Sequence, residues 1–304
     1  MSRSRRVLVT GAAGFTGRHL TRALVARGVR VFGLTEHAGE ALGEDVEPVV
    51  ADLRDADSLA AAVAHAAPAQ VVHLAAISFP GHADAAAMYR VNLDGTLALL
   101  QALLAGGHGR EGVLLPSTAT VYAPASVPLT EDAPLQPGSH YAVSKLAMEH
   151  MARLFAARLP IVLVRPFNYT GPGQREPFLV PKIVRHFAQR ADTIELGNVD
   201  VERDFTDVRV VVDAYCRLLE TPAAAGQMFN VCSGRATAVR SIVTTLEAMT
   251  GHAMTIRVNP AFVRAGEPAR ITGSAARLTA TIGPLLDVPL GETLGAMLEA
   301  VRGA

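Results

Sequence analysis

Three features of this sequence point to an α/β fold, a doubly wound parallel sheet with a smaller C-terminal lobe. Short β-branched runs alternate with Ala- and Leu-rich helical stretches through the first half, the order of βαβ units. The runs are apolar almost throughout, as strands are when helices cover both faces of a sheet. Gly11, Gly14 and Gly17 stand where the first run meets the first helical stretch.

Strands are predicted at residues 7–10, 29–34, 47–51, 71–75, 112–117 and 161–165, with helices at 17–26, 58–66, 88–104 and 141–158 between them. After Arg165 the texture changes. The stretch PFNYTGPGQREPF is rich in Pro and Gly and reads as loop. Residues 178–190 resemble a short helix, and 193–205 a strand-like segment loaded with charge. Residues 208–220 return to helix and 227–232 to a strand expected to rejoin the sheet. A helix at 241–250, a strand at 254–258, a polar loop over 259–274 and a terminal helix at 291–301 complete the chain. Residues 1–165, rejoined by 207–235, form the predicted sheet domain. Residues 166–206 and 236–304 form the lobe, and the cleft between the two is the expected site.

The chain has 304 residues, half of them hydrophobic, which is ample for a real core. Lys+Arg and Asp+Glu both number 28, so no global field favours nucleic acid or an anionic membrane. Any anionic ligand must be held by local groups. Cys216 and Cys232 have neither metal-ligand spacing nor partners for a disulfide framework, and read as buried small hydrophobes. The start, MSRSRRVLV, briefly mimics a signal peptide, but its apolar run is broken within a few residues by the glycines, so strand and turn fit better. No segment approaches the ~20 apolar residues of a membrane span. A soluble, cytoplasmic protein without a metal is expected.

The glycines follow a strand and open a helix with the spacing G-x-x-G-x-x-G. Glycine lets the backbone turn sharply and approach a pyrophosphate, and the helix N-terminus supplies amide donors. In that context the turn reads as a dinucleotide site of Rossmann type. Gly11, Gly14, Phe15, Thr16 and Gly17 are its residues. Enzymes using NAD usually place an acidic residue at the end of the second strand, on the ribose hydroxyls. That position falls at Thr35, which carries no charge to repel a 2′-phosphate; no arginine adjoins it to clamp one. NADP(H) is therefore favoured, with NAD(H) possible; a register one residue on would put Glu36 on the ribose. Asp52 and Leu53 border the adenine in this reading, Leu74, Ala75 and Ala76 admit the cofactor at the end of the fourth strand, and Pro166 joins them. His73 reads as a packed core histidine.

Tyr141 and Lys145 lie one turn apart on one helix face. A tyrosine hydroxyl titrates near pKa ~10, and a fixed ammonium beside it is expected to draw that value towards neutrality. Ser117, Thr118 and Thr120 sit at the C-terminal edge of the fifth strand, where open parallel sheets place their ligands.

TGAAGFTG, VVHLAA, NLDGTLALLQA, STATVY, YAVSK and RPFN fall in the order and spacing of the extended short-chain dehydrogenase/reductases that modify nucleotide sugars, which this chain resembles throughout. The resemblance implies Thr118, Tyr141 and Lys145 as the catalytic set, with hydride passing between a sugar carbon and the nicotinamide. Asn92 resembles the family's asparagine on the helix before the catalytic strand, in a structural role. The resemblance also implies a homodimer built through a four-helix bundle of the helices at 88–104 and 141–158.

The segments RPFNYTGPGQ, ELGNVDVERDFTDVRVVVDAY and FNVCSGRATAVRSI are similar to those of GDP-4-keto-6-deoxy-mannose reductases and, less closely, of GDP-mannose 4,6-dehydratases. They imply Asn168 near the sugar or its phosphates, Arg203 on the diphosphate and Glu267 on the nucleoside side. Arg203 could instead pair with Asp204. Arg175 and Arg270 are further phosphate candidates, and Lys182 is expected to face solvent. Dehydration at the 4,6 positions needs an extra acid/base, which the dehydratases carry two places after the catalytic Ser/Thr; Thr120 stands there and cannot serve. Reduction of a C4 ketone on a nucleotide-linked 4-keto-6-deoxyhexose is the expected reaction. The alternatives are an NAD-dependent 4-epimerase, kept open by STATVY, and a non-catalytic NADP-binding regulator.

Overall fold

The computed structural model describes residues 5–79, 81–262 and 268–303. Its first half runs β1 (Arg6–Thr10), α1 (Phe15–Ala26), β2 (Arg30–Thr35), β3 (Val46–Val50), α2 (Ala56–Ala66), β4 (Gln70–His73), α3 (Ala85–Tyr89), α4 (Gly95–Gly106), β5 (Gly112–Pro116), α5 (His140–Arg153) and β6 (Ile161–Pro166). The second half runs β7 (Asn168–Thr170), α6 (Leu179–Ala188), β8 (Thr193–Leu196), β9 (Glu202–Asp207), α7 (Val208–Leu219), β10 (Met228–Val231), β11 (Ala236–Ala238), α8 (Val239–Thr250), β12 (Thr255–Val258), β13 (Arg270–Ile271), α9 (Ala276–Ile282) and α10 (Leu290–Arg302).

Seven strands form one parallel sheet in the order β10-β6-β5-β4-β1-β2-β3. The winding reverses between β1 and β4, and ligands bind in the crevice at such a switch point. Two cores sandwich the sheet. Leu20 and Leu24 of α1 and Val211, Tyr215 and Leu218 of α7 pack on Val7, Val9 and Val31 on one face. Leu59 of α2, Leu99 and Leu103 of α4 and Met148 of α5 pack on Leu8, Phe32 and Leu115 on the other. Burial on both faces explains why these strands read as unbroken apolar runs.

Caps fix the helix starts. Asp55 accepts from the amides of Asp57 and Ser58 at the head of α2, and Ser139 from that of Ala142 at the head of α5. The helix expected at 88–104 begins earlier and is interrupted by a π turn over Arg90–Asp94. The buried Asn92 in that turn receives the amide of Ile77 and donates to its carbonyl, which ties the π turn to the chain leaving β4. The helix expected at 141–158 stops at Arg153.

The lobe has its own core, where Val184 and Phe187 of α6 meet Ile242 and Leu246 of α8 and Leu294 of α10. The charged segment 193–205 is not one strand. It divides at Gly197 into β8, paired with β12, and β9, which is the centre of a small sheet with β7, β11 and β13. Three-residue β7 lies inside the segment expected to be loop, and two-residue β13 inside the polar loop. Such short strands carry too little pattern to be seen in sequence. Among the described residues no helix is long and apolar enough to cross a membrane.

Candidate active site

The glycine turn is held by close contacts. Gly11 adopts φ +65°, a left-handed conformation, and a Cβ there would stand 2.8 Å from the nitrogen of Ala75. A Cβ on Gly17 would stand 2.2 Å from the carbonyl oxygen of Gly11. The loop is thereby pressed onto Leu74 and Ala75 at the end of β4, with Ala76 following. Gly14 opens α1 without a side-chain cap. The first amides of α1, from Phe15, Thr16 and Gly17, have no acceptor inside the helix, and the dipole adds positive character there. This cradle fits a dinucleotide pyrophosphate.

The side chains of Phe15 and Thr16 turn to the lobe. The Thr16 hydroxyl lies 2.8 Å from the Tyr169 phenol oxygen, and the Phe15 ring stacks on Tyr169 with centroids 6.1 Å apart. His19 Nε2 donates to the Pro172 carbonyl at 2.8 Å and Arg18 reaches that of Gly173. The first turn of α1 is thus clasped to residues 169–173, which follow Asn168.

At the switch point His73 is buried between Thr10 and Thr96. Thr96 donates its hydroxyl proton to the carbonyl of Asn92, so its oxygen receives the Nε2 proton of His73 at 3.0 Å. Nδ1 is then the acceptor for the Thr10 hydroxyl at 2.7 Å, and Thr10 Oγ1 in turn accepts from the amide of Ala75. Burial pushes His73 down to about 3, with Lys145 adding to the effect, so it stays neutral. The same network continues from Asn92 to Ser144, whose hydroxyl donates to the Tyr141 carbonyl. Asn92 therefore connects the glycine turn to the helix of Tyr141.

Thr118 follows β5, and Tyr141 opens α5. Thr118 lies near enough to the Tyr141 phenol to favour its ionised form. Thr118 Oγ1 also lies 3.0 Å from the hydroxyl of the exposed Thr120. The neighbouring Ser117 hydroxyl is buried with no partner among the described residues. Lys145 stands one turn beyond Tyr141 and is buried, as is Glu149 one turn further. Burial draws the Lys145 ammonium down to about 8, opposed by the charge of Glu149. The expected lowering of Tyr141 is not what the protein alone produces. Burial raises the phenol, Tyr169 adds to the rise, and Thr118 opposes it. Desolvating a phenolate outweighs that one favourable contact.

The ribose end of the cleft differs from the reading by sequence. Thr35 is buried and spends its hydroxyl on the His37 carbonyl. Asp52 holds Arg54 through its amide and guanidinium, which also reaches Glu36 at 2.8 Å. An arginine does adjoin the end of β2; it comes from the turn after β3. Leu53 is buried against Gly95, where a Cβ would sit 2.9 Å from its own.

The small sheet gathers the substrate candidates. Asn168 pairs with Phe205, Ile271 with Arg203 and Arg270 with Glu202. Side chains alternate along a strand, so Asn168 and Arg203 share one face and Arg270 takes the other. Arg270 stands 3.5 Å from Glu202 there. Arg203 donates to the carbonyls of Glu202 and Pro268. Asp204 points away from Arg203. Its carboxylate receives the amides of Ser233 and Gly234 and the Ser233 hydroxyl, each within 2.7–2.8 Å. Pro166 ends β6 beside Val231, Arg175 is exposed in the turn before α6, and Glu267 lies outside the described residues. Lys182 is not simply solvent-facing: it donates to the Glu195 carbonyl and stands over Phe262.

Sequence reasoning missed Tyr169 and Glu149, and offered Asp204 as a partner of Arg203 where it instead holds the turn at Ser233 and Gly234. Glu149 continues the four-residue spacing of Tyr141 and Lys145, a signal that was there to follow. Among the described residues no group of three or more His, Cys, Asp and Glu could hold a metal.

Residues 7–232 match the model of the NAD dependent epimerase/dehydratase family. The chain is 35% identical to the GDP-6-deoxy-D-mannose reductase of Pseudomonas aeruginosa, over 97% of both chains. It is 34% identical to the GDP-6-deoxy-D-talose 4-dehydrogenase of Aggregatibacter actinomycetemcomitans, over 91% of both. The structure of RMD from Pseudomonas aeruginosa complexed with NADPH superposes with a TM-score of 0.86 at 33% identity, covering 99% of each chain. With its glycine turn at a parallel-sheet switch point and its Thr118–Tyr141 pair above Lys145, the chain belongs to the NAD dependent epimerase/dehydratase family.

Proposed function

We propose that this protein reduces the C4 ketone of a nucleotide-linked 4-keto-6-deoxyhexose, GDP-linked by preference, with NADPH favoured and NADH accepted. The observation that carries this reading is the placing of Thr118, at the C-terminal edge of β5, beside Tyr141, with buried Lys145 one turn along α5. The reductase and dehydrogenase relatives favour GDP sugars, and the NADPH complex of the similar structure favours NADPH.

The cradle at α1 would hold the pyrophosphate of the dinucleotide and Lys145 its nicotinamide ribose, and the nicotinamide would supply the hydride. Thr118 and Tyr141 orient the ketone through its oxygen. As negative charge develops on that oxygen, Tyr141 donates its phenol proton. The raised pKa suits this task, since it keeps the phenol protonated at neutral pH. Lys145, protonated below about pH 8, stabilises the phenolate left behind. Asn168 and Arg203, on one face of the small sheet, hold the sugar and its diphosphate; a guanidinium suits that load in a chain of zero net charge. Thr120 offers no base for a C5 proton. The working assembly is a cytoplasmic homodimer through α4 and α5, where Val143 of α5 and Leu154 just beyond its end are exposed.

Mixing the protein with NADPH or NADH and GDP- or dTDP-4-keto-6-deoxyhexoses and following absorbance tests the reading. Oxidation of the cofactor, abolished by Tyr141→Phe, is expected. No oxidation with any keto sugar, together with interconversion of UDP-hexoses in the presence of NAD, would replace it with a 4-epimerase.

A further inference from the structure

The end of β2 carries a charge arrangement that the proposed reaction leaves unused. Thr35 is paired with Val50 across β2 and β3, and its carbonyl accepts the amide of Ala51. This register brings the turn after β3 beside the turn after β2. Arg54 thereby meets Glu36, eighteen residues earlier in the chain. Asp52 fixes the guanidinium from one side. Nε bridges both carboxylate oxygens at 2.9 and 3.0 Å, and Nη2 donates to Oδ2 at 2.7 Å. Nη2 also donates to Glu36 Oε1 at 2.8 Å, and no partner of Nη1 is found among the described residues. Arg54 and Glu36 are each 53% exposed, so the pair opens without unpacking the fold. Glu40 adds a third carboxylate by accepting the amide of His37.

Such a corner treats the two dinucleotides differently. A carboxylate at the end of the second strand accepts from a ribose hydroxyl and repels a 2′-phosphate, whereas a guanidinium fork matches a phosphate. With one arginine among Glu36, Glu40 and Asp52, the local charge opposes a phosphate unless Arg54 engages it. Asp52 holds the guanidinium at its Nε edge, so turning it from Glu36 to a phosphate loses little side-chain freedom.

We propose that Arg54 is the residue that reads the 2′-phosphate of NADP(H), and that Glu36 competes for the same guanidinium and so sets the NADP-to-NAD preference. This rests on the dinucleotide reading of the glycine turn.

Calorimetric titration of the full-length protein with NADP⁺, NAD⁺, 2′,5′-ADP and 5′-AMP tests it without turnover. For Arg54→Gln the ratio of the NADP⁺ to the NAD⁺ dissociation constant is expected to rise at least tenfold, and 2′,5′-ADP to lose its advantage over 5′-AMP. For Glu36→Gln the ratio is expected to fall several-fold. Affinity of the wild type for NADP⁺ is expected to drop more steeply with salt than that of Arg54→Gln. A ratio within twofold of wild type for Arg54→Gln, with both dinucleotides still bound, overturns the assignment of Arg54 alone. Failure of the wild type to bind either dinucleotide overturns it together with the cofactor reading.

Discussion

Arg165 grips Glu149 with two prongs, Nε to Oε1 at 2.8 Å and Nη2 to Oε2 at 2.6 Å, and the two side chains are 2% and 0% exposed. The pair pins α5, which carries Tyr141 and Lys145, to β6, which leads to Asn168. Nη1 of Arg165 also donates to the Glu131 carbonyl, and its guanidinium lies 4.7 Å from the centre of the Tyr122 ring. Removing one partner of a buried pair strands the other charge, at a cost of about 3–5 kcal/mol. Glu149→Ala is expected to lose that much in urea unfolding. Glu149→Leu with Arg165→Met is expected to recover more than half, because the guanidinium is then removed along with its carboxylate and only Lys145 loses a favourable neighbour. Equal losses in the single and double variants would show that the pair is not what holds α5 to β6.

The ammonium of Lys145 links activity and stability to pH in opposite directions. It is pushed from 10.5 down to about 8, so between those values the unfolded chain holds a proton that the folded chain has released. Its contribution is an unfavourable constant below about pH 8 and becomes less unfavourable as pH rises towards 10.5. Lys145→Met is therefore expected to be more stable than wild type at pH 7, with the gap closing by pH 10, in paired urea titrations. Reductase activity is expected to fall above about pH 8 as the ammonium is lost. Glu149→Gln should move that fall to lower pH, since Glu149 favours the charged form.

The glycine turn makes a graded prediction. At Gly17 an added Cβ would meet backbone at 2.2 Å, with the Ala12 carbonyl oxygen at 2.6 Å, and backbone cannot give way. At Gly14 the nearest atom is 3.1 Å away. Gly17→Ala is expected to abolish NADP⁺ binding in calorimetry and to lower the melting temperature by several degrees. Gly14→Ala is expected to keep the fold, with dinucleotide binding weakened less than tenfold.

Tyr169 joins the two halves of the cleft. Tyr169→Phe removes its hydrogen bond to Thr16 and keeps the stack on Phe15. A neutral bond of this kind is worth about 0.5–1.5 kcal/mol. The variant is expected to bind GDP with little change in the absence of cofactor. Saturating NADP⁺ is expected to tighten GDP binding by the wild type, and severalfold less in the variant; an equal effect in both would show that the clasp transmits nothing.

The first half was legible because its signals are local or periodic. The βαβ alternation, the apolar strands and the glycine spacing each follow from neighbours in sequence, and the observed strand ends fall within about two residues of those expected. Tyr141 and Lys145 were legible because helix geometry fixes the relation of residues four apart. The lobe was harder. Its strands β7, β11 and β13 are two or three residues long, and they exist only because β9 offers them backbone partners.

What the sequence determined by itself is the sheet, the cradle at α1 and the face that presents Tyr141 and Lys145, since each depends on short-range spacing. Tertiary structure alone decided the rest. It turned Thr35 inward and set Arg54 beside Glu36, because parallel pairing of β2 and β3 aligns their turns. It put Asn168 with Arg203 and turned Arg270 away, because strand alternation is read only once the register is known. It also raised the Tyr141 pKa where spacing to Lys145 alone suggested a fall, because desolvation depends on everything packed around a group rather than on one neighbour.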